Sequence, residues 1–218
     1  MKRFHAYHAL ILALLLAATV FSVDANIGRT IISPLVDVNK QIEPEVGMFL
    51  VARRSLSGTY FQHSVVYLVK HGGKGTLGLI VNRPSQLLMS EVVENIDNST
   101  GHNYPVYLGG PVKRRHMFML VRNPPDLPHI EHILDNVHVS VARDILEHLI
   151  KIGKPSSELR LYIGHSGWTS GQLDSELADK RWHLIKANTE TIFNRDNDSL
   201  WERLINKLEP SGIVVDVR

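Results

Sequence analysis

The chain has 218 residues, 44% hydrophobic and 21% charged, enough for one large domain or two small ones, and no composition break marks an internal linker. Its formal charge of +2 is no electrostatic footprint for nucleic acid, which is disfavoured as a partner. With no cysteine there is no disulfide framework, thiol nucleophile or thiolate metal site, and stability must rest on an apolar core.

At the N-terminus, Lys2 and Arg3 form a positive head, Ala9 to Phe21 an apolar run, and Val23-Asp24-Ala25 offers the small residues a signal peptidase needs. Residues 1–25 are therefore expected to be a secretory signal peptide. The run is too short for a permanent bilayer span of about 20 residues, so no such span is expected in the mature chain. Its removal takes away Lys2, Arg3 and Asp24 and leaves 22 basic against 21 acidic groups, net +1. The expected location is periplasmic or secreted, or cytoplasmic if the start codon is misread.

Residues 26–45 are polar, with Pro34 and Pro44, and read as an extended arm before a domain spanning 46–210. Met48 to Ala52 reads as a strand, with a turn at Ser57-Gly58. Ser64 to Val69 and Thr76 to Asn82 are β-branched or apolar runs joined by Gly72-Gly73, a hairpin pattern. Arg83-Pro84 closes the second strand, since proline cannot donate to a ladder. Ser90 is the expected cap of a short helix over Glu91–Ile96, and a polar loop covers Asp97 to Asn103. Val106 to Leu108 and Met117 to Val121 read as strands on either side of Gly109-Gly110-Pro111.

The three prolines between Asn123 and Pro128 require a loop, and Ile133 to Val139 carries one more strand signal. Ser140 is the expected cap of a helix in which Ala142, Ile145, Leu146, Leu149 and Ile150 form one apolar stripe, stopped by Gly153 and Pro155. Leu159, Leu161 and Ile163 alternate with Arg160, Tyr162 and Gly164, the period of a half-buried strand. Glycines then break it before a helix over Gln172–Asp179. Trp182 to Ile185 reads as a strand, and Leu200 to Leu208 as a helix capped by Asp198 or Ser199. Strands cluster early and alternate with helices later. That predicts a single α+β (mixed α/β) domain with a twisted, largely antiparallel mixed sheet flanked by helices.

Several patterns bear on chemistry. Gly164-His165-Ser166-Gly167-Trp168 approaches the G-x-S-x-G elbow that exposes a nucleophilic serine between strand and helix. The second glycine comes one position early, and no spacing supplies a base from His63, His71 or His116. Ser166 and His165 remain the only catalytic candidates, for a serine-dependent hydrolase, and the preferred reading is non-catalytic. His129 and His132 lie three apart, not at the four-residue spacing of a zincin helix, so neither a metal site nor a cofactor is expected. Gly72, Gly73, Gly75 and Gly78 lack the G-K-[ST] of a phosphate loop and read as turn and close-packing glycines. Gly109-Gly110 followed by Lys113, Arg114 and Arg115 could offer backbone N–H groups and cations to an anion, although a solvated basic tip explains the run more simply. Trp168, Trp182 and Trp201 read as core and lid aromatics, and Asn98-Ser99-Thr100 fits a glycosylation sequon.

The blocks Gly47-Met48-Phe49-Leu50-Val51-Ala52, His63-Ser64-Val65-Val66-Tyr67, Gly78 to Pro84, Gly109-Gly110-Pro111-Val112 and Gly164 to Leu177, with Trp182 and Trp201, resemble the YqgE/AlgH family of bacterial proteins. The resemblance runs from about Gly47 to Leu208. It implies one α/β domain with a mixed sheet and no established activity, and it carries over no catalytic residues. It also suggests transcriptional regulation, as proposed for one member. The leader departs from the family pattern, and export would remove direct transcriptional control. His165 and Ser166 stand where the family commonly has an aromatic and a small residue.

The function expected is thus a binding module for an unidentified small molecule or protein. Its cleft is expected where glycine-rich turns meet at strand ends. The candidate ligand-binding residues are Asn82, Arg83, Gly109, Gly110, Gly164, Gly167, Trp168, Gly171 and Gln172.

Overall fold

The computed structural model describes residues 42–93, 104–194, 196–197 and 199–210. The expected leader, residues 26–41 of the arm, the 97–103 loop with its sequon and the Asp198 cap lie outside them. Met48–Ala52 forms β1, and Val65–Lys70 (β2) and Thr76–Ile80 (β3) form the expected antiparallel hairpin. Pro84–Leu88 (β4) leads into the short helix α1 (Met89–Val92), followed by Pro105–Leu108 (β5) and Val112–Arg122 (β6). Glu131–Leu134 (β7) and Val137–Ser140 (β8) precede helix α2 (Arg143–Lys151). Leu159–Trp168 is the long strand β9, then come α3 (Gln172–Ala178), β10 (Trp182–Lys186), α4 (Thr189–Ile192) and α5 (Leu200–Leu208).

The strands run in the order β10-β1-β2-β3-β9-β6-β8-β7, with β5 paired to β4 and to β9. Among the described pairs only β5–β9 is parallel. This is the expected α+β domain with a largely antiparallel sheet. The sheet curls: a Cβ added at Gly47, just before β1, would lie 3.0 Å from Cβ of Leu134 on β7. No described helix is long and apolar enough to cross a membrane.

Alternation along the strands builds two cores. On β6 and β9, Leu120 and Tyr162 face a core that contains β1–β3, all three tryptophans and α5, while Met119, Leu161 and Leu159 face α1 and the apolar stripe of α2. The end of α5 is tied down at Glu209, which accepts from His183 Nε2 at 2.8 Å and pairs with Arg53 and Arg54.

Several elements depart from the pattern-based reading. Strand β9 does not stop at its glycines but runs through to Trp168, paired to β3 at Thr76–Gly78. Nor is it half-buried, because Arg160 and Tyr162 are buried on the face opposite Leu161. Arg160 compensates by donating to Val81 and Asn194 carbonyl oxygens and stacking 4.5 Å from the Tyr107 ring. Pro84 begins a strand rather than ending one, at a first-residue position where its missing N–H is tolerated. The single strand expected over Ile133–Val139 is a hairpin, turned at Asp135-Asn136 with Asp135 at φ +51°.

Ser90 and Ser140 are not at the N-caps expected of them, whereas Ser199 is the N-cap residue of α5, without a side-chain cap bond. Ser140 is the last residue of β8, where Oγ donates to the His129 carbonyl at 2.7 Å. Ser90 lies inside α1, and the Leu88 N–H is met by the Glu91 carboxylate at 2.7 Å. The basic run Lys113–His116 belongs to β6, not to a loop beyond it.

Candidate functional site

Strand β9 changes partner along its length. Its end near Trp168 pairs with β3, its start runs parallel to β5, and β6 covers the other edge. At this fork the backbones approach so closely that side chains are excluded. A Cβ on Gly109 would lie 2.4 Å from the Gly164 carbonyl oxygen, and one on Gly110 would lie 2.2 Å from the His165 carbonyl carbon. Gly164 has φ +69° and marks a bulge where β6 slips register between Val112 and Met117. The bulge resets the alternation, so that His165 meets Phe118, an edge-on contact of 5.3 Å.

The turns at Asn82-Arg83-Pro84, Gly109 to Val112 and Gly164 do meet here, as expected of the glycine-rich strand ends. The Arg83 carbonyl accepts from Leu108 N–H, and the Gly109 carbonyl from Ile80 N–H, both at 2.9 Å. The contact is packed solid, with Gly109, Gly110 and Gly164 buried, so the cleft expected between these turns does not open there. Asn82 and Arg83 also face inward on neighbouring backbone. Asn82 bridges the Val65 N–H and the His63 carbonyl, and Arg83 donates to Tyr60 and Gln62 carbonyls and to Ser64 Oγ. Ser166 is 0% exposed and donates to the Gly109 carbonyl at 3.2 Å. His63 stacks on Trp201 at 4.1 Å and His71 bonds Thr76 at 2.7 Å, so neither is engaged with Ser166.

Open space lies on the other side of the fork. A cleft of about 420 Å³ is lined from β2–β3 by Lys70, Lys74 and Thr76, and from β6 and β9 by Val112, His165 and Trp168. No carboxylate lines it among the described residues. His165 is 8% exposed, and its Nδ1 has no hydrogen-bond partner among the described residues. Burial first, then the charges of Lys113 and His116, hold its imidazole below the ordinary value. A neutral imidazole in the same lining as two lysines can donate to or accept from a ligand, and a bound anion would offset the burial and the cations that hold its proton affinity down.

The Trp168 wall is fixed by Glu176 of α3. One carboxylate oxygen accepts from Trp168 Nε1 at 3.0 Å and from Trp182 Nε1 at 2.8 Å, while the other accepts from Gln172 Nε2 at 3.0 Å. Gln172 also holds the Thr169 N–H at the cleft rim. Gly171, at φ +73°, is the N-cap of α3, its carbonyl accepts from Ser175 N–H at 3.1 Å, and a Cβ added there would meet nothing within 4 Å.

Of the candidates, Gly167, Trp168 and His165 line the cleft, Gln172 braces it, and Asn82, Arg83, Gly109, Gly110 and Gly164 form the packed fork behind it. Lys70, Lys74 and Glu176 were not singled out from sequence. The lysines flank the Gly72-Gly73 hairpin turn, where a cation carries no functional signal of its own. Glu176 looked like any exposed helical acid, with no spacing to connect it to two indoles.

The AlgH-like family profile, DUF179, matches residues 49–211. The chain is 33% identical over 168 residues to a UPF0301 protein of Vibrio vulnificus, covering 73% of this chain and 89% of that protein. Against a UPF0301 protein of Vibrio parahaemolyticus it is 32% identical over 178 residues, covering 77% and 95%. The fold is similar to the solution structure of the AlgH protein from Pseudomonas aeruginosa, with TM-score 0.65, 26% identity, and coverage of 79% of this chain and 94% of that one. A Corynebacterium diphtheriae protein shares the fold at TM-score 0.64 and 19% identity, covering 77% and 88%. The chain belongs to the AlgH-like family, as its five sequence blocks suggested.

Proposed function

We propose that the protein is a non-catalytic binding module, exported by its leader, that holds a small molecule in the cleft beside His165. The carrying observation is that the hairpin β2–β3, β6 and β9 converge on an open hollow walled by Lys70, Lys74, His165 and Trp168, with no carboxylate among the described lining residues. Concave sites with an apolar wall and a few convergent polar groups are where small ligands bind. A fragment screen by NMR on the purified full-length chain tests it. Hits should shift Lys70, Val112, His165 and Trp168, and a screen whose hits all fall elsewhere would remove the reading.

Export has its own test, cell fractionation with the mass of the product. A periplasmic product starting near Asn26 supports the leader and argues against transcriptional control. An uncleaved cytoplasmic product would restore that alternative, which predicts salt-sensitive DNA binding. The burial of Ser166 weighs against a serine hydrolase, and Ser166→Ala should leave background turnover of an activated ester unchanged.

A further inference from the structure

A second hollow of about 230 Å³ adjoins the cleft and shares Lys70 and Leu77 with it. Val69, Leu77, Phe118 and Val139 contribute apolar lining beside the polar Lys70, His129 and Ser140, and Glu131 is a lining carboxylate of a kind that the described lining of the first hollow lacks. Val112 at the first hollow is 38% exposed and Val141 at the second 66% exposed, unusual positions for β-branched apolar side chains. Charge therefore separates the two hollows: Lys74 and His165 line only the first, Lys70 and Leu77 are shared, and Glu131 lines only the second, next to Phe118.

Resting on the cleft reading above, we infer that the ligand is an amphipathic anion. Its carboxylate or phosphate head lies against Lys70, Lys74 and His165, and its apolar tail crosses Leu77 into the hollow beside Phe118 and Val139. The charges fix the direction. An anionic head placed the other way would face Glu131 and lose Lys74 and His165, keeping only the shared Lys70, while an uncharged tail meets no like charge at Glu131. The edge-on contact between Phe118 and His165 joins the two halves, so a ligand spanning both hollows touches one ring of each kind. The inference adds what the cleft alone does not: the ligand has a charged end and an apolar end, with a stated orientation.

The test is a titration of the full-length chain, followed by NMR shifts and calorimetry. The probes are hexanoate, octanoate, decanoate, decyl phosphate, decanol, acetate and inorganic phosphate, each below its micellar concentration. The expected result is binding of decanoate and decyl phosphate with shifts at both Lys70 and Phe118. Affinity should grow by about two- to fourfold per added methylene, the increment of partial apolar burial, and comparing decanoate with decyl phosphate identifies the preferred head. Lys70→Glu with Lys74→Glu should weaken decanoate by at least about tenfold. Both lysines are exposed, so the fold should survive, and an unchanged melting curve checks this. Val141→Asp should weaken decanoate several-fold and leave inorganic phosphate untouched.

Decanol binding as tightly as decanoate would overturn the anionic head. Acetate or phosphate binding as tightly as decanoate, with Phe118 and Val139 unmoved, would overturn the tail. Amphiphile binding that ignores the lysine and Val141 changes would show adventitious adsorption and overturn both. If the amphiphiles fail while fragments still map to the cleft, the inference falls and the binding-module reading stands. If nothing maps to the cleft, both fall.

Discussion

Both carboxylate oxygens of Glu176 are committed to side chains, one of them to two indole N–H groups at once. Trp168 and Trp182 are 5% and 3% exposed and pack around Phe61, with Trp168 and Trp182 centroids 6.0 Å apart. Truncation would leave both indoles without their acceptor in a nearly dry site. Glu176→Ala is therefore expected to cost roughly 2–4 kcal/mol, since hydrogen bonds to a charged acceptor exceed neutral ones and an orphaned buried donor carries its own penalty. Glu176→Gln keeps one acceptor oxygen and should lose less than half of that. Thermal unfolding measures the cost, and a shift of tryptophan emission reports the loosened wall; equal melting of wild type and Glu176→Ala would refute it.

His165 gives a second residue-scale prediction. Its folded value lies below the unfolded one, so the unfolded chain binds the proton first, and stability falls as pH drops through about 6.5 toward the folded value. Burial, Lys113 and His116 oppose its charge, and Lys70 and Lys74 line the same cleft. His165→Gln should flatten the part of the melting-temperature profile between pH 7 and 5 that His165 causes. A variant profile parallel to wild type would exclude the effect.

Elements were legible in sequence wherever one periodicity governed a whole segment. The α2 stripe is such a case, and its end follows the same logic: Gly153, at φ +75°, bonds the Ile150 carbonyl while Lys154 N–H bonds that of Leu149, the paired closure that a C-terminal glycine permits. Strand β4 was not legible because it is an edge strand, mostly exposed and opened by a proline. The extent of β9 was hidden for the opposite reason, since its glycines serve a fork of three strands that exists only after long-range pairing. That role can be tested by contrast. Gly110→Ala places a methyl 2.2 Å from the His165 backbone, which no rotamer can relieve, so the fork must open at a cost of about 3 kcal/mol or more. Gly72→Ala meets nothing within 4 Å and needs no positive φ, so it should be neutral within about 0.5 kcal/mol. Similar melting temperatures for the two variants would mean that Gly110 is not a close-approach position.

At the scale of the molecule, the fold class and the family blocks could be read from the chain, whereas the cleft could not. Its walls come from residues about 100 positions apart, Lys70 and Trp168 among them, joined only because β3 pairs with β9. The same pairing couples the two cores. They share no buried residue, yet successive residues of β6 and β9 feed them in turn, so neither can open without disturbing strands that hold the other. The described body should therefore unfold as one unit. All three tryptophans sit in the core with β1–β3, whereas Leu161 is fully buried in the core under α2. Leu161→Ala removes side-chain volume only from the second core, at an expected cost of about 2–5 kcal/mol. If the cores are coupled, the midpoint by tryptophan fluorescence falls together with that by far-ultraviolet circular dichroism, although no tryptophan is near the cavity. If they are independent, fluorescence keeps its wild-type midpoint while circular dichroism shows an earlier loss of helix. That second outcome would make β9 a seam between two folding units instead of the strand that binds them into one.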